Sequence, residues 1–285
     1  MFGSLVDQKY QKVVKFLNIA MKIKKAILPV AGKGTRMMPL TMHQPKGMIA
    51  LADKPMIHYV LDEMRASGIE EVIMVLGENQ EVFRQYIDHL KNEHAWNGIS
   101  FKFTYQKDPI GDGDAVYSAR KFIKNEEPFA VAFSDDIFCP KNLPLSKMVS
   151  EFKNTPTILL EKVPMEEVHR FGVVKSLGAK GISHTIVDLV EKPKTEEAPS
   201  NLTIIGRYVL PYKIFEYIKA QYPFMGKEIK IAYALEAYLK DNKKIIGLNP
   251  KMTRFDCGSK EGLIRAQAYF ATNHPQFKKG RASLV

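Results

Sequence analysis

The stretch Lys25-Ala26-Ile27-Leu28-Pro29-Val30-Ala31-Gly32-Lys33-Gly34-Thr35-Arg36 decides how the rest of the chain is read. Residues 26–30 form a compact apolar run, the pattern of a strand buried on both faces. The run ends in a glycine loop. Gly32 and Gly34 let the backbone approach a ligand and turn N–H groups toward an anion, and Lys33 and Arg36 add positive charge beside them. Two common glycine motifs do not fit. A dinucleotide fingerprint needs a third glycine at 37, where Met37 stands; a P-loop needs Ser or Thr after its lysine, where Gly34 stands.

Working outward, strand and helix patterns alternate. Met56, Ile57, Val60, Leu61 and Met64 mark one helix face, and Val82, Phe83, Tyr86, Ile87 and Leu90 mark another. Residues 72–76, 101–105 and 129–133 read as strands, and 115–123 as a helix. This order predicts an α/β fold: a Rossmann-like mixed, mostly parallel sheet flanked by helices. Beyond about residue 155 come strand-like segments with short connections at 158–163, 172–176, 185–190 and 203–209, a smaller part of antiparallel character. Helical patterns return at 212–219, 229–239 and 259–270. No linker or repeat divides the chain, so a single domain is expected over 22–285, with halves of about 22–155 and 156–285. Val6, Tyr10, Val13, Val14 and Leu17 predict a helical extension over 1–21.

The composition narrows the function classes. A net charge of +11 attracts polyanions, although a solvated, lysine-rich surface is its simplest reading. No zinc-finger spacing, RNA-recognition aromatic motif or dense arginine run accompanies it, so phosphate-bearing small substrates are favoured over nucleic acid. No apolar run approaches the ~20 residues that cross a membrane, and Lys9, Lys12 and Lys15 interrupt any signal-peptide core. Cys139 and Cys257 are too far apart in sequence for a metal knuckle and read as reduced core residues, which favours the cytoplasm. The histidines form no zinc-binding set, and His89 and His94 are expected to be solvated.

Several motifs then fall in order. Residues 29–36, Pro39, Pro45-Lys46 and Asp53-Lys54-Pro55-Met56-Ile57 are followed by Val190-Glu191-Lys192-Pro193-Lys194, Ala198-Pro199-Ser200-Asn201-Leu202, Gly206-Arg207-Tyr208-Val209-Leu210 and Asp256-Cys257-Gly258-Ser259-Lys260. The chain resembles the sugar-1-phosphate nucleotidyltransferase family from residue 22 to about 267, and within it the branch that works on UTP and glucose 1-phosphate. The resemblance implies the nucleotide-diphospho-sugar transferase fold, with the second half binding the sugar. It implies that Arg36, Lys46 and Lys192 are catalytic cations, and that Ala31, Gly32, Lys33, Gly34, Gln106 and Gly111 meet the nucleotide, with Gly113 helping a loop lie on the base. Gly172, Glu191, Lys192 and Gly206 would meet the sugar phosphate, and Asp135 and Asp256 would hold Mg²⁺. Asp136, where the branch usually has an apolar residue, could assist the metal or simply face solvent, and the second is favoured. A homo-oligomer, dimer or tetramer, is implied.

The departures are specific. Gly47 stands where the branch carries Glu, Asp114 replaces a His, and Lys230, Ala232 and Tyr233 replace Gln, Thr and Asp. They leave open the same reaction with dTTP or another hexose 1-phosphate, or a nucleotide-sugar sensor.

Overall fold

The computed structural model describes residues 23–78, 80–223, 228–241 and 243–273. The helical extension expected over 1–21 lies outside them. In chain order the strands are β1 (Lys25–Pro29), β2 (Ala50–Leu51), β3 (Lys54–Pro55), β4 (Glu71–Leu76), β5 (Ser100–Tyr105), β6 (Phe129–Ala132), β7 (Asp136–Phe138), β8 (Thr157–Lys162), β9 (Gly172–Lys180), β10 (Ser183–Glu191), β11 (Leu202–Leu210), β12 (Ile245–Leu248) and β13 (Arg254–Asp256). The α-helices are α1 (Met56–Ala66), α2 (Glu81–Lys91), α3 (Asp112–Ser118), α4 (Pro144–Glu151), α5 (Ile214–Lys219), α6 (Ile231–Lys240) and α7 (Lys260–Asn273).

Period-two alternation explains the layers. Ala26 and Leu28 of β1 enter one core with Val72, Met74 and Leu76 of β4, while Ile27, Ile73 and Val75 enter the other. The 3.6-residue stripes of α1 and α2 cover the first face, joined by α7. α3, α5 and α6 cover the second. Both faces of the sheet are thus dry around β1, β4 and β6, as the unbroken apolar run 26–30 requires.

The sheet has nine strands in the order β5-β4-β1-β6-β11-β8-β12-β10-β9. It is mixed: β5, β4, β1 and β6 are mutually parallel, and β10 and β11 run against the rest. The antiparallel pairing begins at β11, in the half where the sequence rhythm changes. Two smaller sheets, β2–β3 and β7–β13, stand apart.

Three features differ from the sequence reading. The helix expected over 115–123 starts at Asp112 and stops at Ser118, with a 3₁₀ turn over Arg120–Phe122. Its start is set by packing: Gly113 N–H donates to Ile229 C=O, and Asp112 accepts from Ile231 N–H. Strand β12 sits inside the sheet between β8 and β10, yet its four residues in a lysine-rich stretch carry too little period to read. Helix α4 was likewise not expected. Cys139 and Cys257 are buried free thiols, and His89 and His94 are exposed, as expected. No helix among the described residues is long and apolar enough to cross a membrane.

Candidate active site

Ligands of open α/β sheets bind beyond the carboxyl ends of parallel strands. Here those ends carry Val30–Arg36 after β1, Gln106 after β5 and Phe133–Asp135 after β6. A cleft of about 610 Å³ opens there. It is lined by ten of the expected residues, Ala31, Gly32, Arg36, Lys46, Gln106, Gly111, Asp135, Lys192, Gly206 and Asp256. Lys33 and Gly34 line an adjoining pocket that shares Gly32, Arg36 and Lys46 with the cleft. Gly172 and Glu191 are cross-strand partners at its flank, outside the lining.

The glycines serve different ends. A Cβ on Gly32 would meet nothing within 4 Å, so its missing side chain leaves open space in the cleft. Gly34 has φ +64° and caps the short 3₁₀ turn Thr35–Met37 that holds Arg36. Gly111 and Gly113 are required by the protein itself, because their Cβ positions collide with the backbone of Ile229 and Lys230. Gly206 lines the cleft, but a side chain there would strike Asp136 and Phe133 before any sugar. Gly172 makes room for Glu191, whose Oε2 lies 3.1 Å from where a Cβ would be.

Gln106 is buried and both of its amide hydrogens are committed, to Gly111 C=O at 2.9 Å and to Asp114 Oδ2 at 2.8 Å. Asp114 is held in turn by the Tyr222 hydroxyl at 2.6 Å. This network leaves Gln106 Oε1 as an acceptor beside the cleft.

Two of the cleft's acids, Asp135 and Asp256, are each met by a cation. Lys46 Nζ lies 2.5 Å from Asp135 Oδ2, and Arg170 Nη2 lies 2.9 Å from Asp256 Oδ2. Burial alone would push the Asp135 carboxyl up, but Lys46 outweighs it and holds the group below the usual carboxylate range. The two carboxylates converge: a Cβ on Gly258 would lie 2.5 Å from Asp135 Oδ2 and 2.9 Å from Asp256 Oδ1. Mg²⁺ needs only one or two carboxylates when substrate phosphates complete its shell, so this pair has the right chemistry.

Asp136 does not face solvent. It is a register partner of Asp256 across β7–β13, and Arg254 Nη1 holds its Oδ1 at 2.5 Å. Like charges directly opposite on paired strands repel. Arg254, also bound to Glu161 at 2.7 Å, offsets that repulsion. Arg170, Arg254 and Asp112 all line the cleft and were not singled out from the sequence. Arg254 had a signal, since two residues before Asp256 on a strand means the same face. Arg170 ends a 3₁₀ segment without period and had none.

Lys192 lines the cleft in a left-handed conformation, φ +48°, rare for a lysine and typical of a functional constraint. Glu191 is held by Lys230 Nζ at 3.0 Å, which also reaches Glu228 at 2.9 Å. Burial works against the Lys230 ammonium, but Glu228 and Glu191 overcome it and keep its pKa above the ordinary value. Lys230 lies 5.8 Å from the Tyr233 ring, so two of the departing residues meet beside Glu191. Gly47, the other main departure, is buried against Ser134 and Phe83, leaving a carboxylate no space there without repacking.

Burial pushes the half-buried Asp112 carboxyl up to about 6, helped by the charge of Glu191 and opposed by the Ile231 N–H. A folded pKa above the unfolded value near 4 lowers stability as pH rises through that window. Asp112→Asn keeps the acceptor for Ile231 and removes this penalty. It should stabilise the protein by about 1–3 kcal/mol at pH 8 and by almost nothing at pH 4. Urea unfolding at the two pH values checks it, and an equal effect at both would mean that the cost of burying the Asp112 charge is not the cause.

The model of the nucleotidyl transferase family matches residues 25–273. UTP–glucose-1-phosphate uridylyltransferase of Bacillus subtilis (strain 168) is 34% identical over 276 residues, covering 90% of this chain and 94% of that protein. Among solved structures, UDP-glucose pyrophosphorylase complexed with UDP-glucose matches with a TM-score of 0.79 and 36% identity, over 88% of this chain and 100% of that one. The UTP-bound UGPase from Acinetobacter baumannii matches with a TM-score of 0.79 and 31% identity, over 92% of this chain and 100% of that one.

Proposed function

The chain belongs to the nucleotidyl transferase family, and on that footing we infer that it transfers the uridylyl group of UTP to glucose 1-phosphate, giving UDP-glucose and pyrophosphate. The observation that carries the reading is one cleft that gathers the glycine loop, the Lys46–Asp135 pair, Asp256 and Lys192 from separate parts of the chain.

The chemistry asks little of the protein beyond alignment and charge. The attacking oxygen of glucose 1-phosphate is already ionised at neutral pH, so no protein nucleophile is required. Arg36 and Lys46, with Lys33 beside them, suit the triphosphate, and Lys192 suits the sugar phosphate. Gln106, with both amide hydrogens engaged, presents Oε1 to an N–H such as N3–H of uracil. Glu191 accepts from sugar hydroxyls. Asp135 and Asp256 are the residues that would hold Mg²⁺, which when bound neutralises charge on the reacting phosphates. Arg170 and Lys46, now on those two carboxylates, would then be free to turn to phosphate.

Incubation with Mg²⁺, each NTP or dTTP, and a panel of sugar 1-phosphates tests this. Pyrophosphate release is expected to be greatest with UTP and glucose 1-phosphate. No release with any pair would sink the enzyme reading; preference for dTTP would sink the uridylyl assignment alone. We place the reaction in the cytoplasm, where the thiols of Cys139 and Cys257 stay reduced. Assembly as a dimer or tetramer is part of the same proposal, and sedimentation velocity tests it.

Lys230 is expected to tune the sugar side. Lys230→Gln removes the charged hydrogen bond to Glu191 and should raise KM for glucose 1-phosphate about tenfold. KM for UTP should stay within about twofold, since Lys230 does not line the cleft near the glycine loop. Equal rises for both substrates would mean a general loss of structure instead.

A further inference from the structure

An ion pair that touches neither substrate subsite lies fully buried behind Asp135. Glu63 on α1 and Arg207 on β11 are 1% and 0% exposed. Arg207 Nη2 and Nε lie 2.7 and 3.0 Å from Glu63 Oε2. Removing two charges from water is strongly unfavourable, and apolar residues of similar volume often hold a fold as well or better. Stability is therefore a weak reason for the pair.

Its other bonds give a stronger one. Arg207 Nη1 donates to Phe133 C=O at 3.4 Å, and Nη2 donates to Asp136 C=O at 3.0 Å. Those carbonyls bracket Ser134 and Asp135. Glu63 Oε1 accepts from Leu145 N–H at 2.9 Å, at the start of α4. The register of β11 against β8 slips between Ile205 and Tyr208, across Gly206 and Arg207 themselves. Such bulges re-aim side chains beside functional sites. From the opposite side Cys257 N–H donates to Asp135 C=O at 2.8 Å, which ties the same segment to the strand that carries Asp256.

We propose that Glu63 and Arg207 are positioning residues that fix the 133–136 segment, so that Asp135 is presented to a divalent cation together with Asp256. The proposal rests on the reading of those two aspartates as metal ligands. The guanidinium is suited to the task because its N–H groups form a rigid planar fork that can hold a carboxylate and two carbonyls at once. An ammonium at the same place keeps the charge opposite Glu63 but cannot reach all three.

Mn²⁺ binding, followed by electron paramagnetic resonance in the presence of UTP, separates the alternatives. Arg207→Lys should weaken Mn²⁺ about tenfold to a hundredfold, the range seen when the support of a ligating side chain is lost. KM for glucose 1-phosphate at saturating Mn²⁺ should change much less. Glu63→Met/Arg207→Met removes both charges together, and should show the same loss of Mn²⁺ with a native circular dichroism spectrum. Wild-type Mn²⁺ affinity in a folded variant of either kind overturns the proposal. If Arg207→Lys does not fold, the double variant gives the same two-way answer, and collapse of both would overturn the proposal in favour of a purely structural pair. Failure of the unaltered protein to bind Mn²⁺ would instead overturn the assignment of Asp135 and Asp256.

Discussion

Asp135→Asn is expected to lower kcat/KM for UDP-glucose formation by about a thousandfold, which is ~4 kcal/mol of transition-state stabilisation. The expectation rests on position and charge together. Asp135 follows the buried strand β6, its carboxylate converges with that of Asp256, and Lys46 lies against it. An asparagine keeps the shape and loses the charge that would hold a cation. The fold should survive, with a pH signature. A carboxyl whose folded pKa is held below its unfolded value of about 4 adds stability above that value and loses it as pH falls through the folded pKa. The unfolding midpoints of variant and wild type should therefore differ at pH 7 and draw together in acid. Wild-type turnover in the variant at saturating Mg²⁺ would falsify the metal assignment.

The second large effect is expected at Gly111. Its φ of +135° belongs to a region that side chains rarely adopt, and a Cβ there would strike the carbonyl oxygen of Ile229. No rotamer relieves that contact, because both partners are backbone. Ile229 N–H donates to Ile110 C=O at 2.8 Å and Gly113 N–H donates to Ile229 C=O at 2.9 Å, so the two segments are tied on both sides. Gly111→Ala should destabilise the protein by roughly 3 kcal/mol. It should also raise KM for UTP about tenfold, because Gly111 C=O is one of the two acceptors that orient the Gln106 amide. Denaturant unfolding and initial rates measure the two effects. A variant with normal stability would mean that the 229–230 segment can move aside, which the paired hydrogen bonds argue against.

The part of the cleft built by the glycine loop, Gln106 and Asp135 was legible because its signals are local. Residues 26–36 carry a buried strand and its glycine loop in one stretch; Gln106 follows the alternating strand β5 and Asp135 the apolar run of β6, and both strands end at the same edge of the sheet. The part of the cleft around Glu191 and Lys192 was legible only as a list. Glu191 and Lys192 could be named from their motif, but the partner that holds Glu191 is Lys230, 39 positions away. Asp136 was misjudged for the same reason. The alternation of β7 says that its neighbours Asp135 and Ile137 point elsewhere, yet nothing local says that Arg254 will cross over to meet it. The glycines show a subtler gap: Gly111 and Gly206 were expected to make room for base and sugar, whereas the nearest obstacles are the protein's own Ile229 and Asp136.

The glycine loop, the apolar periods of the first half and the order of the motifs were thus determined by the sequence itself, because each depends on residues within one strand, turn or helix. The pairing of charges was decided only by the tertiary structure. Lys46 with Asp135, Arg170 with Asp256, Arg254 with Asp136, Lys230 with Glu191 and Arg207 with Glu63 all join residues from different elements. Coulomb attraction between side chains depends on distance and on how far water is excluded. Both are set by how strands β6, β7, β11 and β13 are laid side by side, which no local pattern encodes.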